Sequence, residues 1–337
     1  MHLSVDHFGD IHRHATSLRD WTQTYSQIAS GPLRSTLFQI SGGRFHFFRE
    51  LISRRVVQLG QAPRGRICFA VPLTLSGAVR IQGREVDDRS VLVLRPGEEF
   101  MLHVPSGIDL VVITFDQALF EQAVAAAPQP EALSSLLKQP VVRVTARCLG
   151  QARMHLLKLF EDAFPAAEIA ATPATEQQLE AALMAEFIEM FADPACDKQQ
   201  RHGSSSASYI VEKSHRLTVD DSGHPPSVLD LCKRLRISRR AVQNGFRSVA
   251  ETSPLNYLRC IRLNGVRRDL LASRARHLTI GDAAARWGFF HLSHFTADYR
   301  TLFGELPSQT RRADGPGSAD TPPPVRSPQP SAAPVCP

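Results

Sequence analysis

The sequence lacks most of the features that mark secreted, membrane-bound or metal-dependent proteins. Its six cysteines, Cys68, Cys148, Cys196, Cys232, Cys260 and Cys336, are scattered, with no CxxC and no paired spacing. That argues against a disulfide framework or a cysteine zinc site and points to reduced thiols in a reducing compartment. Cys336 is next to last rather than fourth from last, so there is no prenylation box. The longest apolar stretches, such as Leu110 to Phe115, fall far short of a membrane span, and no membrane association is expected. The opening MHLSVDHFGDIHRH has no apolar h-region, so a cytoplasmic chain without a secretory signal is expected. No repeat of solenoid length occurs.

What is present is the composition of an ordinary globular protein, 43% hydrophobic and 21% charged, over 337 residues. That length accommodates two domains, each with its own core. The net charge of +6 is unevenly spread. Ser227 to Arg312 carries sixteen Lys and Arg against six Asp and Glu, a balance of +10 that leaves −4 for the rest of the chain. A basic segment joined to a mildly acidic body is the pattern of a domain that meets a polyanion, although a solvated basic face has the same charge.

From about Ser35 to Phe115 the pattern reads as strands. Leu37 to Phe48 turns at Gly42-Gly43, and Ile67 to Val71, Gly77 to Gln82, Ser90 to Leu94 and Asp109 to Phe115 follow. Such spacing predicts an antiparallel barrel or sandwich. VLRPGEEFMLHVPSG resembles a cupin turn and strand, but His103 stands nearly alone where a metal cupin would show clustered His and Glu ligands, so no metal is expected. The period then becomes helical over Asp116 to Ala127, Arg147 to Phe164 and Thr175 to Phe191. The stripe Leu179, Leu183, Phe187 and Phe191 is expected to pack on its own domain, with a homodimer contact as the lesser alternative. The architecture predicted is α+β and multidomain. It comprises a cupin-like barrel or sandwich with trailing helices (1–192), a flexible polar linker (193–207), an all-α domain (208–312) and a disordered Pro/Ser/Ala-rich tail (313–337).

The basic segment contains a two-fold echo. In SVLDLCKRLRISRRAVQNGFRSVAETSP, Ser227 caps a helix whose inner face is Val228, Leu231, Cys232 and Leu235. Ser238 caps a second helix with Val242, Phe246 and Val249 facing inward. The few residues between them give the geometry of a helix-turn-helix. The outward face of the second helix holds Arg239, Arg240, Gln243, Asn244 and Arg247, side chains that pair bidentately with guanine (Arg) or adenine (Gln, Asn) in the major groove. A long helix, Pro254 to Ala272, is capped by Ser253 with proline at its first position. LTIGDAAARWGFFHLSHFTADYRTLFGELP repeats the motif: Thr279 caps, Ala283 and Ala284 allow close approach, and Gly288 is placed to end the helix in a left-handed conformation. The following helix buries Phe295, Tyr299 and Phe303, leaving Leu292, Ser293, His294, Ala297 and Arg300 outside.

Ser227 to Arg312 thus resembles the tandem helix-turn-helix domain of AraC/XylS-family transcription regulators. The resemblance rests on Ile280-x-x-Ala283-Ala284-x-x-x-Gly288-Phe289, then Ser293-His294-Phe295, Tyr299 and Phe303-Gly304-x-x-Pro307-Ser308, with Ser208 to His224 supplying the first helix. WGFFHLSHFTADYRTLFGELPS is also similar, more weakly, to the ethanolamine-operon regulators. The resemblance implies that the helices starting near Ser238 and Leu292 enter successive major-groove segments on one face of double-stranded DNA. It places Arg240, Gln243 and Asn244 at bases in one module and Leu292, Ser293 and His294 in the other. Gly245, Gly265 and Ala297 depart from what the pattern leads one to expect. His291 is expected to cap its helix or meet phosphate, and with His294 it forms too small a set for a metal. The resemblance further implies a cytoplasmic, nucleoid-associated regulator, more an activator than a repressor, with RNA polymerase and a small-molecule effector as partners. No cofactor is implied. Arg44, His46, Arg49 and His103 are candidate polar groups for the effector. The competing reading is a cupin-like enzyme with an accessory DNA-binding domain, for which the strands supply no convincing metal cluster or nucleophile.

Overall fold

The computed structural model describes residues 1–310 apart from 75–76, 78, 82–83, 171, 194–205 and 274–277. The amino-terminal part runs β1 (His2–Phe8), α1 (Ile11–Ser17), β2 (Thr22–Gln27), β3 (Ser35–Ser41), β4 (Phe45–Ile52), β5 (Val56–Gln61) and β6 (Arg66–Thr74). It continues with β7 (Val79–Ile81), β8 (Arg84–Val86), β9 (Ser90–Leu94), β10 (Glu99–Val104) and β11 (Ile108–Asp116). Then come α2 (Gln117–Ala125), α3 (Pro130–Leu136), β12 (Val141–Arg143), α4 (Ala146–Ala170) and α5 (Pro173–Ala192). The carboxyl-terminal part is helical: α6 (Ser206–Asp220), α7 (Val228–Leu235), α8 (Arg239–Ala250), α9 (Pro254–Ala272), α10 (Ile280–Arg286) and α11 (Leu292–Phe303).

The strands form two antiparallel sheets, β1-β3-β4-β11-β6-β9-β12 and β2-β5-β10-β7-β8. They stack face to face as a sandwich and do not close into a barrel. Leu37, Phe48, Leu92, Leu94, Phe100, Leu102 and Val112 fill the space between them. The outer face of the large sheet presents Phe47, Phe69, Val91, Val93 and Phe115 to α2–α5, where Leu179, Leu183, Phe187 and Phe191 meet it. The stripe on α5 is therefore buried in its own core and is not a dimer face. Both faces of β9 are covered, which explains why SVLVL reads as a continuous apolar run instead of an alternation.

The small sheet is also covered twice. Along β10, Phe100 and Leu102 point between the sheets while Met101 points outward into the helical core, beside Ile28 and Val57. That second core is organised round α9, whose Tyr257, Ile261, Leu263, Val266 and Leu270 are buried among Phe246, Trp287, Phe295 and Tyr299. The α6 helix begins at Ser206, inside the stretch read as linker. The rest of that stretch and the tail from 313 lie outside the described residues.

Polar groups tie the two parts together along β2, α1 and α9. Asn264 acts as a side-chain rung of sheet, accepting from the Gln27 backbone N–H at 2.9 Å and donating to its carbonyl at 2.8 Å. The Gln27 side chain in turn donates to the Leu302 carbonyl at 2.8 Å. Arg267 pairs with Asp10 and with Glu305, the latter at 2.8 Å, and donates to the Tyr299 hydroxyl at 3.2 Å. Burial would raise the Asp10 carboxyl, but the Arg267 guanidinium paired with it and the Arg13 amide help to hold the group below its ordinary range.

Candidate nucleic-acid interface

The first helix-turn-helix is α7 and α8. Ser227 accepts from the Asp230 amide at 3.2 Å, and the Asp230 carboxylate answers the Ser227 amide at 3.0 Å, a reciprocal capping box. The turn that follows bends at Arg236, whose φ of 56° lies in the left-handed region. Ser238 then caps α8 by accepting from the Ala241 amide at 3.1 Å. Val242, Phe246 and Val249 are buried, which rotates Arg239, Arg240, Gln243, Asn244 and Arg247 to the solvent side, all of them exposed. Gly245 faces α6, where an added Cβ would make ordinary contact, 3.4 Å from the Ala207 carbonyl oxygen, so packing alone does not demand glycine there.

The second module is α10 and α11. Thr279 caps α10 through the Asp282 amide at 3.0 Å, and Gly288 ends it at a φ of 72°, as the spacing predicts. Phe289 turns into the core with the Arg262 guanidinium 4.4 Å above its ring, while Phe290 turns out and is 74% exposed. His291 occupies the cap position of α11 but makes no side-chain cap hydrogen bond, so the capping role expected of it is not found. His291, Leu292, Ser293, His294 and Arg300 are all exposed, and the two imidazoles lie 6.4 Å apart at right angles. Among the described residues no three His, Cys, Asp or Glu side chains gather as metal ligands.

Both sets of outward side chains belong to helices fixed to one spine. Tyr257 of α9 lies 5.2 Å from the Phe246 ring of α8. At Gly265 of α9 the Trp287 ring comes so near that a Cβ would sit 2.2 Å from it. Arg259 of α9 reaches Asp298 of α11 at 3.4 Å.

Comparison with known proteins agrees with this geometry. A family model described as a helix-turn-helix domain matches residues 231–313. The chain is 36% identical over 110 residues to the XylDLEGF operon transcriptional activator 2 of Pseudomonas putida, covering 33% of this chain and 70% of that protein. The chain belongs to the AraC/XylS family. It is also 33% identical over 101 residues to the probable thc operon regulatory protein of Rhodococcus erythropolis, 29% of this chain and 30% of the relative. A solved structure of a probable AraC family regulator from Rhodopseudomonas palustris matches 30% of this chain and 94% of its own, at 29% identity and a TM-score of 0.28. The chain spans less than half the length of the first curated relatives it matches. Those relatives are named as regulatory proteins and operon transcriptional activators.

In this family member the four polar groups proposed for an effector do not come together. Arg44 binds Glu180 of α5 at 2.6 Å, and Arg49 holds Asp109 through two hydrogen bonds of 2.7 and 2.8 Å. His103 faces α9, 6.0 Å from the Tyr257 ring, in the seam between the two parts. His46 alone lines a cleft, of about 200 Å³, with His2, Ser4, Asp6, Ser17, Arg19, Gln39 and Ser41. A second cavity, between the sheets under Trp21, Phe48 and Phe100, is about 30 Å³, room for about two waters. Sequence reading passed over the seam residues Gln27, Asn264 and Arg267. For Asn264 and Arg267 the signal was a polar residue recurring on the apolar surface of the long helix; Gln27, on β2, gave none.

Proposed function

We propose that this protein is a cytoplasmic, nucleoid-associated one-component transcription regulator that reads double-stranded DNA with both helix-turn-helix modules. The observation that carries this reading is the pairing of two exposed polar helix faces, on α8 and α11, against one continuous helix. The amino-terminal ends of both recognition helices then meet successive major grooves on one face. Arg240, Gln243 and Asn244 read bases in one groove, and Ser293 and His294 in the next. Ser238, Arg239, Arg247, His291 and Arg300 hold phosphates and fix the register.

Activation through RNA polymerase is the favoured output, supported by relatives named as operon activators. The chain divides into a sensor (1–192), a linker and a DNA-binding domain (208–312). The cleft beside His46, about 200 Å³ and lined by hydrogen-bonding side chains, supports a small polar effector for the sensor.

The test is selection of bound sequences from a random duplex library with the full chain, followed by affinity measurements on the selected site. Arg240→Ala and Gln243→Ala should each weaken binding by about 1–3 kcal/mol and relax the preference at positions in one half of the site only. Variants that bind the site as tightly as the unaltered protein would remove α8 from the groove.

A further inference from the structure

We infer that Phe290, with Leu292, is a contact site for the 5-methyl group of thymine, so that the second module demands thymine in its half of the site. The inference rests on the DNA-binding reading above and adds a residue and a base to it. Phe290 stands one position before the cap of α11, where a hydrophobic residue ordinarily folds back on the fourth residue of the helix and staples the entry angle of the chain. In the first module Ile237 holds that place before Ser238 and packs against the helical core. In the second module the staple has moved back by one residue. Phe289 is only 8% exposed, and its ring lies 5.4 Å from Phe295, the fourth residue of α11. The left-handed Gly288 makes this possible by turning the chain so that Phe289 points inward.

Phe290 is therefore released from the structural task of its position and is 74% exposed. It does not stand isolated. Leu292, two residues on, is 49% exposed, and Ser293, His294 and Arg300 of the same helix are exposed too. An apolar pair set at the entrance of a recognition helix, among groups suited to phosphate and base edges, has one matching feature in the major groove. That feature is the thymine methyl, the apolar group of the base-pair code. Covering one methyl group corresponds to about a fourfold change in affinity. A protein partner on this surface is the competing occupant, and it would leave DNA affinity independent of Phe290.

The experiment uses the full chain and a site selected from random duplex DNA, with each thymine replaced singly by deoxyuracil, which removes only the methyl. Positions whose preference relaxes in Gln243→Ala mark the first module's half. In the other half, at least one replacement should weaken binding about fourfold. Phe290→Ala should weaken binding to the thymine site by a similar factor and bind the thymine and uracil sites equally. Because Phe290 is exposed, circular dichroism should show its alanine variant folded as the unaltered protein. A selected site indifferent to every such replacement, or a Phe290→Ala variant that keeps the full thymine–uracil difference or the full affinity, overturns the inference alone. Failure of the library to yield any preferred sequence overturns it together with the DNA-reading function.

Discussion

At the scale of single residues, Gly265 is a position where the helical part leaves no room for a side chain. An added Cβ would sit 2.2–2.4 Å from three atoms of the Trp287 ring. The ring has nowhere to retreat: its Nε1 donates to Asp269 at 3.0 Å, and the Arg268 guanidinium lies 5.7 Å from it on the same helix. A single methyl must therefore push α10 away from α9 or force the indole off its rotamer. Overpacking of that kind costs about 1–3 kcal/mol. Gly265→Ala should lower the urea midpoint of the full chain by a corresponding amount, with Trp287 reporting the altered environment through near-ultraviolet dichroism. An unchanged midpoint and spectrum would mean that the two helices do not meet as closely as described. The sequence alone marks Gly265 only as a helix-weakening residue in need of a packing reason. The reason is a partner 22 residues away, and no local pattern names it.

At the scale of elements, α9 serves several neighbours at once. Tyr257 and Ile261 join it to α6 and α8, Gly265 joins it to α10, and Asn264 joins it to β2 of the small sheet. Asn264→Ala would leave the buried N–H and C=O of Gln27 without partners, and each buried orphan costs about 1–3 kcal/mol. The chain's two tryptophans, Trp21 and Trp287, fall one in each part. Unfolding followed separately in Trp21→Phe and by total fluorescence should show Asn264→Ala lowering the midpoint; no loss of stability would show that the seam contributes nothing. The helices around this spine were legible because their signals are local: Ser227, Ser238, Ser253 and Thr279 each cap where their spacing predicts, and α9 runs from Pro254 to Ala272 as read. The sandwich was legible only in part. Its β2 and β5 carry polar residues on partly covered faces and lack the alternation that reveals a strand, while β1 alternates only over the short run His2 to Asp6. The candidate interface was legible as a face but not in its choice between Phe289 and Phe290. Both residues are apolar, and only the turn at Gly288 decides which of them is buried.

At the scale of the whole molecule, the seam and the sandwich keep histidines uncharged, and this makes stability depend on pH in a definite direction. Burial, reinforced by Arg55 and Arg80, pushes His103 down to about 3. His215 is brought to about 3 by burial with His103, Arg268 and Arg216 nearby. For His12, burial with Arg268 and Arg267 outweighs Asp10 and gives about 3. His46 falls to about 4 through burial and the excess of Arg66 and Arg19 over Asp20. In each case the unfolded chain takes up a proton near 6.5 while the folded chain refuses it. Between those values the unfolded state binds more protons, so stability falls as pH falls below about 6.5, by about 1.4 kcal/mol per pH unit for each histidine. Above that range these groups impose no pH dependence. Among the described residues neither ring nitrogen of His103 has a hydrogen-bond partner. Replacing it with an apolar side chain of similar size therefore forfeits no hydrogen bond. His103→Leu should keep its stability at pH 7.5 and lose about 1.4 kcal/mol per unit of the slope between pH 6 and 4.5, read from urea midpoints across that range. A variant whose stability falls with acid as steeply as that of the unaltered chain would show that His103 is not the neutral, buried base on which this dependence rests.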